Sequence, residues 1–198
     1  NSTKGMQKRL IDFHQTKDFS NFCNQLKRAE QGSTAYQSAL LEHGKRATKH
    51  IDSMLNDADG IIESINEISI DYSEEELKIF RKQSEPYTQG MIDKIKQHIL
   101  IMSASLIKNH PSSNDKYDSD GLHNSYIFRY SLCCYLLVLD WISHGGAIGV
   151  NHARIRNDIV DMIFVTYATY FDGLLSNDKK ANQIHQKARF LLQRVFNA

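Results

Sequence analysis

The dominant pattern along the chain is an apolar residue at every third or fourth position, which predicts amphipathic α-helices. One such stripe runs through residues 51–68, a second through residues 91–106 and a third through residues 181–195. The stretch "ISIDYSEEELK" adds a helix start, because Ser73 and Glu76 have the spacing of a capping box. We therefore expect a helix-rich chain.

Short apolar runs interrupt this pattern and are candidates for β-strands. They lie at residues 8–13, 147–150 and 172–176. Periodicity does not distinguish such runs from buried helix turns. The run at 172–176 follows one predicted helix, contains the helix-breaking Gly173 and precedes another helix, which is the order found around a parallel sheet. We predict an α/β fold on this basis, with an all-α fold as the alternative.

Composition and charge narrow the class of protein. The chain has 198 residues, of which 41% are hydrophobic and 24% charged, values typical of one soluble globular domain. A net charge of +1 excludes a whole-protein electrostatic grip on nucleic acid, although a local basic patch is still possible. The three cysteines show no zinc spacing and favour a reducing, cytoplasmic location. The most apolar run, Tyr130 to Leu139, is too short to cross a membrane and predicts a core helix.

The most unusual segment is "RNDIVDMIFVTYATYFDGLLSNDKK", residues 156–180, where four aspartates punctuate an apolar helix. Burying a carboxylate is costly unless something pairs with it. One interpretation is local: Asn157 or Asp158 begins the helix, Asp161 lies in its first turn, and Asp178 caps the last helix. The other is that Asp158, Asp161 and Asp178 converge at one sheet edge, where they require a hard cation such as Mg²⁺ or Mn²⁺.

The same segment resembles the carboxy-terminal signature of PIN-like nucleases. In that family an aspartate opens a buried helix, a short apolar strand follows, and a Ser/Thr-x-Asp turn comes next. Asp161 and the turn Ser176–Asp178 suit this pattern, with Asp158 as an additional or alternative ligand. The resemblance implies a Rossmann-like α/β/α sandwich with a short parallel sheet, a bound Mg²⁺ or Mn²⁺, and endonucleolytic cleavage, usually of RNA. Residues 1–198 would then form a single domain, with residues 47–110 as a helical insertion or cap.

The resemblance also calls for two acidic residues earlier in the chain. Asp12 follows a short apolar run, although Phe13 and His14 stand where the family has Thr-Asn. Glu42 lies on a predicted helix, where a solvated carboxylate is the competing interpretation. We assign Asp12 to the metal site together with Asp158, Asp161 and Asp178, and Glu42 to the catalytic set with all four.

Basic residues near the predicted site could contact the substrate phosphate. Arg156, Lys179 and Lys180 lie beside the aspartates, an arrangement that suits a phosphate backbone crossing a metal site. The expected partner is therefore RNA, with DNA possible and no membrane. From the habits of the family, a toxin-like role and a protein inhibitor are further hypotheses.

Two other functions fit the same sequence. In the first, the protein is a non-catalytic helical interaction module whose aspartates serve as caps and dipole partners. In the second, it is a metal-independent ribonuclease resembling the all-helical HEPN family, because Arg9 and His14 have the loose Arg-x4-His spacing. The nine histidines show no HExxH spacing, so a histidine-based zinc site is not expected.

Overall fold

The computed structural model describes residues 3–14, 17–53, 58–82, 87–108, 121–146 and 151–196. Within these ranges the regular structure consists of α-helices and one short 3₁₀ turn, without a β-strand. The helices are α1 (Thr3–His14), α2 (Lys17–Glu30), α3 (Thr34–Ser53), α4 (Ala58–Ile70), α5 (Glu74–Lys82), α6 (Gln89–Lys108), α7 (Tyr126–Ser143), α8 (His152–Ala168) and α9 (Lys179–Arg194). The 3₁₀ turn, Leu122–Asn124, leads into α7.

The predicted α/β sandwich with a parallel sheet is wrong, and the all-α alternative describes the fold. Residues 8–13 are part of α1, where Lys8 and Asp12 form an i,i+4 ion pair. Residues 172–176 form an irregular connection between α8 and α9. Residues 147–150 lie outside the described part of the chain. A strand needs a neighbouring strand to pair with, and the described residues provide none.

Helix α7 is the centre of the molecule. It starts at the N-cap Ser125, whose hydroxyl accepts a hydrogen bond from the Phe128 amide, and it contacts α4, α5, α6, α8 and α9. By length and composition α7 could span a membrane, but 72% of it is buried inside the protein, as in the core helix of a globular domain. The prediction of a core helix here is confirmed. Burial raises the pKa of the Cys133 thiol to about 12, so this cysteine is a protonated core residue.

Helices α4, α5 and α6 each pack against α7. Their buried side chains form one apolar cluster with it, which includes Ile65, Phe80 and Ile99. The predicted capping box is confirmed: the Glu76 amide donates to the Ser73 hydroxyl at 3.2 Å, and the Ser73 amide donates to the Glu76 carboxylate at 2.8 Å. Most of the segment predicted as an insertion therefore lies directly against the central helix.

The amino-terminal helices bury much less surface. Among the described side chains of α1, α2 and α3, only Ala29 is a buried apolar residue. Helices α2 and α3 pair as a hairpin, whose turn has Gly32 at a φ of 92°. A left-handed backbone of this kind strains any residue with a Cβ. At its start, α1 contacts the carboxy-terminal half through Thr3 and Gln7.

Helices α8 and α9 pack against α7 and against each other. Residues that come later in α9 contact residues that come later in α8 or just after it. Lys180 contacts Asp158, His185 contacts Ala168, and Arg189 contacts Asp172. The two helices therefore run in the same general direction. Residues 169–178 return the chain from the end of α8 to a point beside its first half.

Candidate functional site

The candidate site is the acidic end, which we define as Asp158, Asp161, Asp178 and Lys180. Its first two aspartates lie three residues apart on one face of α8. That helix begins at Asn151, whose side chain accepts a hydrogen bond from the Ala153 amide at 2.8 Å. The prediction that Asn157 or Asp158 begins the helix is therefore wrong. Local cap patterns did not show that the helix extends further back, where Ile155 is buried in the core.

Asp158 has two partners from other helices. Its Oδ2 accepts a hydrogen bond from Lys180 Nζ at 2.6 Å and another from Trp141 Nε1 at 3.2 Å. The side chains of Lys180 and Asp158 are 23% and 14% exposed, so water screens this ion pair only in part. Asp158 thereby joins α7, α8 and α9 at one point.

Asp178 is the N-cap of α9, which confirms the local prediction for this residue. Its Oδ1 accepts a hydrogen bond from the Ala181 amide at 2.9 Å. The preceding turn is held by Ser176, whose hydroxyl accepts from the Asp178 amide at 3.1 Å. Asn182 closes it with bonds from Nδ2 to the carbonyls of Ser176 and Asp178. The cap places the Asp178 carboxylate beside the first turn of α9.

Asp161 connects the cluster electrostatically. Desolvation raises the pKa of its carboxyl most, the charges of Asp178 and then Asp158 raise it further, and Lys180 lowers it. Asp178, Asp158 and Lys180 are therefore each within electrostatic reach of Asp161. With three negative groups and one positive group, the ionised cluster has a formal charge of −2.

The described side chains of the acidic end do not have the arrangement of a metal centre. In the described ranges no group of three or more His, Cys, Asp or Glu residues is placed so that it could hold a metal ion. Asp158 faces Lys180, and Asp178 uses one oxygen to cap α9.

The two earlier acidic candidates lie on other helices. Asp12 of α1 pairs with Lys8 at 2.6 Å, and Glu42 of α3 pairs with Lys45 at 2.8 Å. Both pairs are exposed and stay within their own helices, a type of ion pair that stabilises little. In the part of the chain that the structure describes, no hydrogen bond or ion pair joins Asp12 or Glu42 to the acidic end.

The predicted phosphate ligands have three different surroundings. Lys180 is committed to Asp158. Lys179 is exposed at the first position of α9. Arg156 precedes the aspartates on α8, and its guanidinium donates to the Asn157 side-chain oxygen at 3.1 Å. Of these three residues, Lys179 is exposed and Arg156 is partly exposed.

Sequence reasoning missed the part that Trp141 plays at this site. Trp141 is only 6% exposed, and its indole N–H donates to Asp158. A buried indole N–H usually finds an acceptor, so the single tryptophan was itself a signal for a polar partner. The sequence did not indicate which acceptor, because α8 reaches Trp141 only through tertiary packing.

A scan against models of protein families, a search of curated proteins and a search of solved structures each gave no significant match.

Proposed function

We propose that the protein is a non-catalytic helical interaction module. The second proposal is a divalent-metal-dependent endonuclease that would hydrolyse phosphodiester bonds at the acidic end, with RNA as the expected substrate. The endonuclease is supported by the net negative charge around Asp161: its carboxyl is partly desolvated and lies within electrostatic reach of Asp178 and Asp158, and Lys180 offsets part of that charge. A divalent cation would provide the missing positive charge, and carboxylate oxygens are the ligands that Mg²⁺ and Mn²⁺ prefer.

Each residue then has a definite task. Asp161 and Asp178 would hold the cation, with Asp158 as a further ligand. Because the cap of α9 uses Oδ1 of Asp178, we assign its Oδ2 to the cation. When bound, such a metal lowers the pKa of a water molecule and stabilises negative charge on a phosphate. Lys179 and Arg156 would contact the phosphate backbone on either side.

Calorimetric titration with Mn²⁺ tests the endonuclease proposal. The informative variant is the double substitution Asp161→Asn with Asp178→Asn, because asparagine is also a good N-cap and should preserve α9. Asp172→Asn is the matched control, since that carboxylate lies in the same segment and its side chain is fully exposed. We expect saturable binding in the wild type and the control, and none in the double variant, whose fold is checked by circular dichroism.

Activity assays complete the test. Cleavage of RNA should require Mn²⁺ or Mg²⁺, stop on addition of EDTA and be lost in the double variant. Absence of Mn²⁺ binding in the wild type, or equal binding in all variants, would contradict the endonuclease proposal.

The helical interaction module is the first candidate, because the described residues form an all-helical fold and several aromatic side chains are exposed. Phe164 and Tyr167 of α8, Phe171 just after it and Phe190 of α9 are between 37% and 61% exposed. The completed Asp158–Lys180 pair and the Asp178 cap give two of the aspartates structural roles, which this candidate also requires. Exposed aromatic rows are typical of protein contacts.

Self-association is a direct test of this first candidate. Analytical ultracentrifugation should show concentration-dependent dimers that are weakened by Phe164→Ser and Phe190→Ser. Monomers at every concentration together with Mn²⁺ binding would decide against it and for the nuclease.

The HEPN-like alternative stays a prediction. Arg9 lies within α1 and His14 ends it, but the His14 side chain lies outside the described part of the structure. Cleavage of RNA that persists in EDTA and is lost in Arg9→Ala would support this alternative. The cytoplasmic location, the protein inhibitor and the toxin-like role also stay predictions.

A further inference from the structure

Arg129 is a buried arginine whose hydrogen bonds all go to neutral groups. It lies on α7, is 2% exposed and stacks on the ring of Tyr170 at 3.9 Å from the centroid. Its acceptors are the carbonyl of His123 (3.2 Å), the carbonyl and hydroxyl of Thr169 (2.8 and 3.3 Å), the hydroxyl of Thr3 (2.8 Å) and the side-chain oxygen of Asn124 (2.9 Å). The guanidinium is therefore satisfied in hydrogen bonds but not in charge.

A buried cation without an anionic partner is unusual because desolvation disfavours the charged form. Burial lowers the pKa of Arg129 for this reason. None of the groups that Arg129 contacts in the described structure is a carboxylate. The positive charge of Arg129 is therefore not neutralised by any of these contacts.

A cavity of about 130 Å³ lies beside this arginine. We call it the Arg129 pocket. It is lined by Arg129, Arg189, Gln7, Gln193 and Asp172, among others.

A second arginine adds positive charge to the pocket. The side chain of Arg189 is about one-third exposed and donates to the Asp172 carbonyl. The Asp172 carboxylate is 3.8 Å from Arg189 but is fully exposed to water, so it compensates little of this charge.

We propose that the Arg129 pocket binds a small oxyanion, either a phosphate group or a carboxylate. Arg189 and the amide of Gln193 donate hydrogen bonds to the anion, and Arg129 contributes its charge because its own N–H groups are already engaged. The pocket also includes Gln7 of α1, so the anion joins α1 to the carboxy-terminal helices.

This site is independent of the proposed nuclease centre. Arg189 lies eleven residues after Asp178, which corresponds to about 16 Å along α9 at 1.5 Å per residue. The proposed metal ligands and the Arg129 pocket therefore share no residue, and either site could exist without the other.

Titration calorimetry with inorganic phosphate, and separately with sodium acetate, tests the inference at an ionic strength fixed with sodium chloride. The test variant is Arg189→Gln, which removes one direct donor and leaves the buried Arg129 network intact. The matched control is Arg194→Gln, an exposed arginine of the same helix that does not line the pocket. We expect saturable one-site binding in the wild type, roughly tenfold weaker binding in Arg189→Gln and unchanged binding in Arg194→Gln.

The two anions distinguish the sources of the ligand. Tighter binding of phosphate assigns the pocket to a phosphate group, and tighter binding of acetate assigns it to a carboxylate; either result, together with the variant pattern, supports the site. Absence of saturable binding of both anions, or equal binding in both variants, would overturn it and leave Arg129 with a purely structural role. Because neither variant alters the acidic end, Mn²⁺ binding should be the same in all three proteins.

Discussion

Replacing Lys180 with methionine should destabilise the protein, because Lys180 is the cation that compensates the acidic end. The substitution keeps an unbranched apolar stem but removes the ammonium group. Among the described contacts, Asp158 would keep the hydrogen bond from Trp141, and Asp161 would lose the charge of Lys180, which lowers its pKa. A partly buried carboxylate would then be left without a counter-charge.

The size of the effect follows from the geometry of the pair. At 2.6 Å and an effective dielectric constant of ~20, Coulomb's law gives a gross attraction of about 6 kcal/mol, an upper limit that ignores desolvation. Breaking a fully buried pair costs about 3–5 kcal/mol, whereas an exposed pair contributes less than about 1 kcal/mol. Because the two side chains are 23% and 14% exposed, we expect the free energy of unfolding to fall by about 2 kcal/mol.

Urea unfolding at pH 7, followed by circular dichroism and by the fluorescence of the single tryptophan, measures this difference. Lys179→Met is the matched control, since Lys179 is exposed in the same first turn of α9. A cation at a helix start is unfavourable to the helix dipole, so the control should be neutral or slightly stabilising. The double variant Asp158→Asn with Lys180→Met should lose less than the sum of the two single losses.

Addition of Mn²⁺ extends the same experiment to function. If the acidic end binds a divalent cation, Lys180→Met should bind Mn²⁺ more tightly than the wild type and should recover stability when it does. A loss below about 0.5 kcal/mol, equal to that of Lys179→Met, would refute the argument that this pair compensates the cluster.

Three further predictions concern single contacts. Folding raises the pKa of Asp161 above its ordinary value of 3.8, so the stability that its protonated form contributes is present at low pH and lost as pH rises through the folded pKa. Asp161→Asn should therefore stabilise the protein at pH 7 by about 0.5 kcal/mol. The same substitution should have no effect well below pH 3.8, as measured by urea unfolding at a series of pH values. Equal effects at both pH values would contradict this reasoning. Asp178→Ala should cost about 1 kcal/mol because the cap of α9 is lost, and Asp178→Asn should cost much less in the same assay. Tyr135→Phe leaves the buried hydroxyl of Tyr72 without its partner at 2.6 Å and should lower the free energy of unfolding by about 1–2 kcal/mol. In thermal unfolding, the double variant Tyr72→Phe with Tyr135→Phe should lose less stability than the sum of the two single losses.

The parts of the fold that the sequence predicted correctly are those with local causes. The stripe at residues 181–195 became the buried face of α9, because Ala181, Ile184, Ala188 and Leu191 follow the helical period and all point into the core. The capping box at Ser73 involves groups only three residues apart. Such signals survive in any tertiary context, so one sequence is enough to find them.

The strand prediction failed because a strand depends on groups far away in the chain. In the run 172–176, Leu174 packs partly against the core while Leu175 is fully exposed, so the segment is not covered on both faces as a central strand would be. The sequence of this short run does not indicate whether another strand lies beside it. The role of Lys180 was hidden for the same reason, since its partner Asp158 is 22 residues away on another helix.

The sequence predicted that the aspartates converge because it predicted a parallel sheet, and the described residues form no sheet. The path of the chain explains why Asp158 and Asp178 nevertheless lie near Asp161. In a helix–strand–helix unit the strand carries the chain back, so the two helices run in the same direction. Residues 169–178 perform that return here without forming a sheet, and α8 and α9 are aligned in this way. The start of α9, with Asp178 as its cap, therefore lies beside the first half of α8, which carries Asp158 and Asp161. The positive end of the α9 dipole lies at its N-cap Asp178 and favours the negative charge of that carboxylate. The path of the chain, rather than the sheet, brings the acidic residues together.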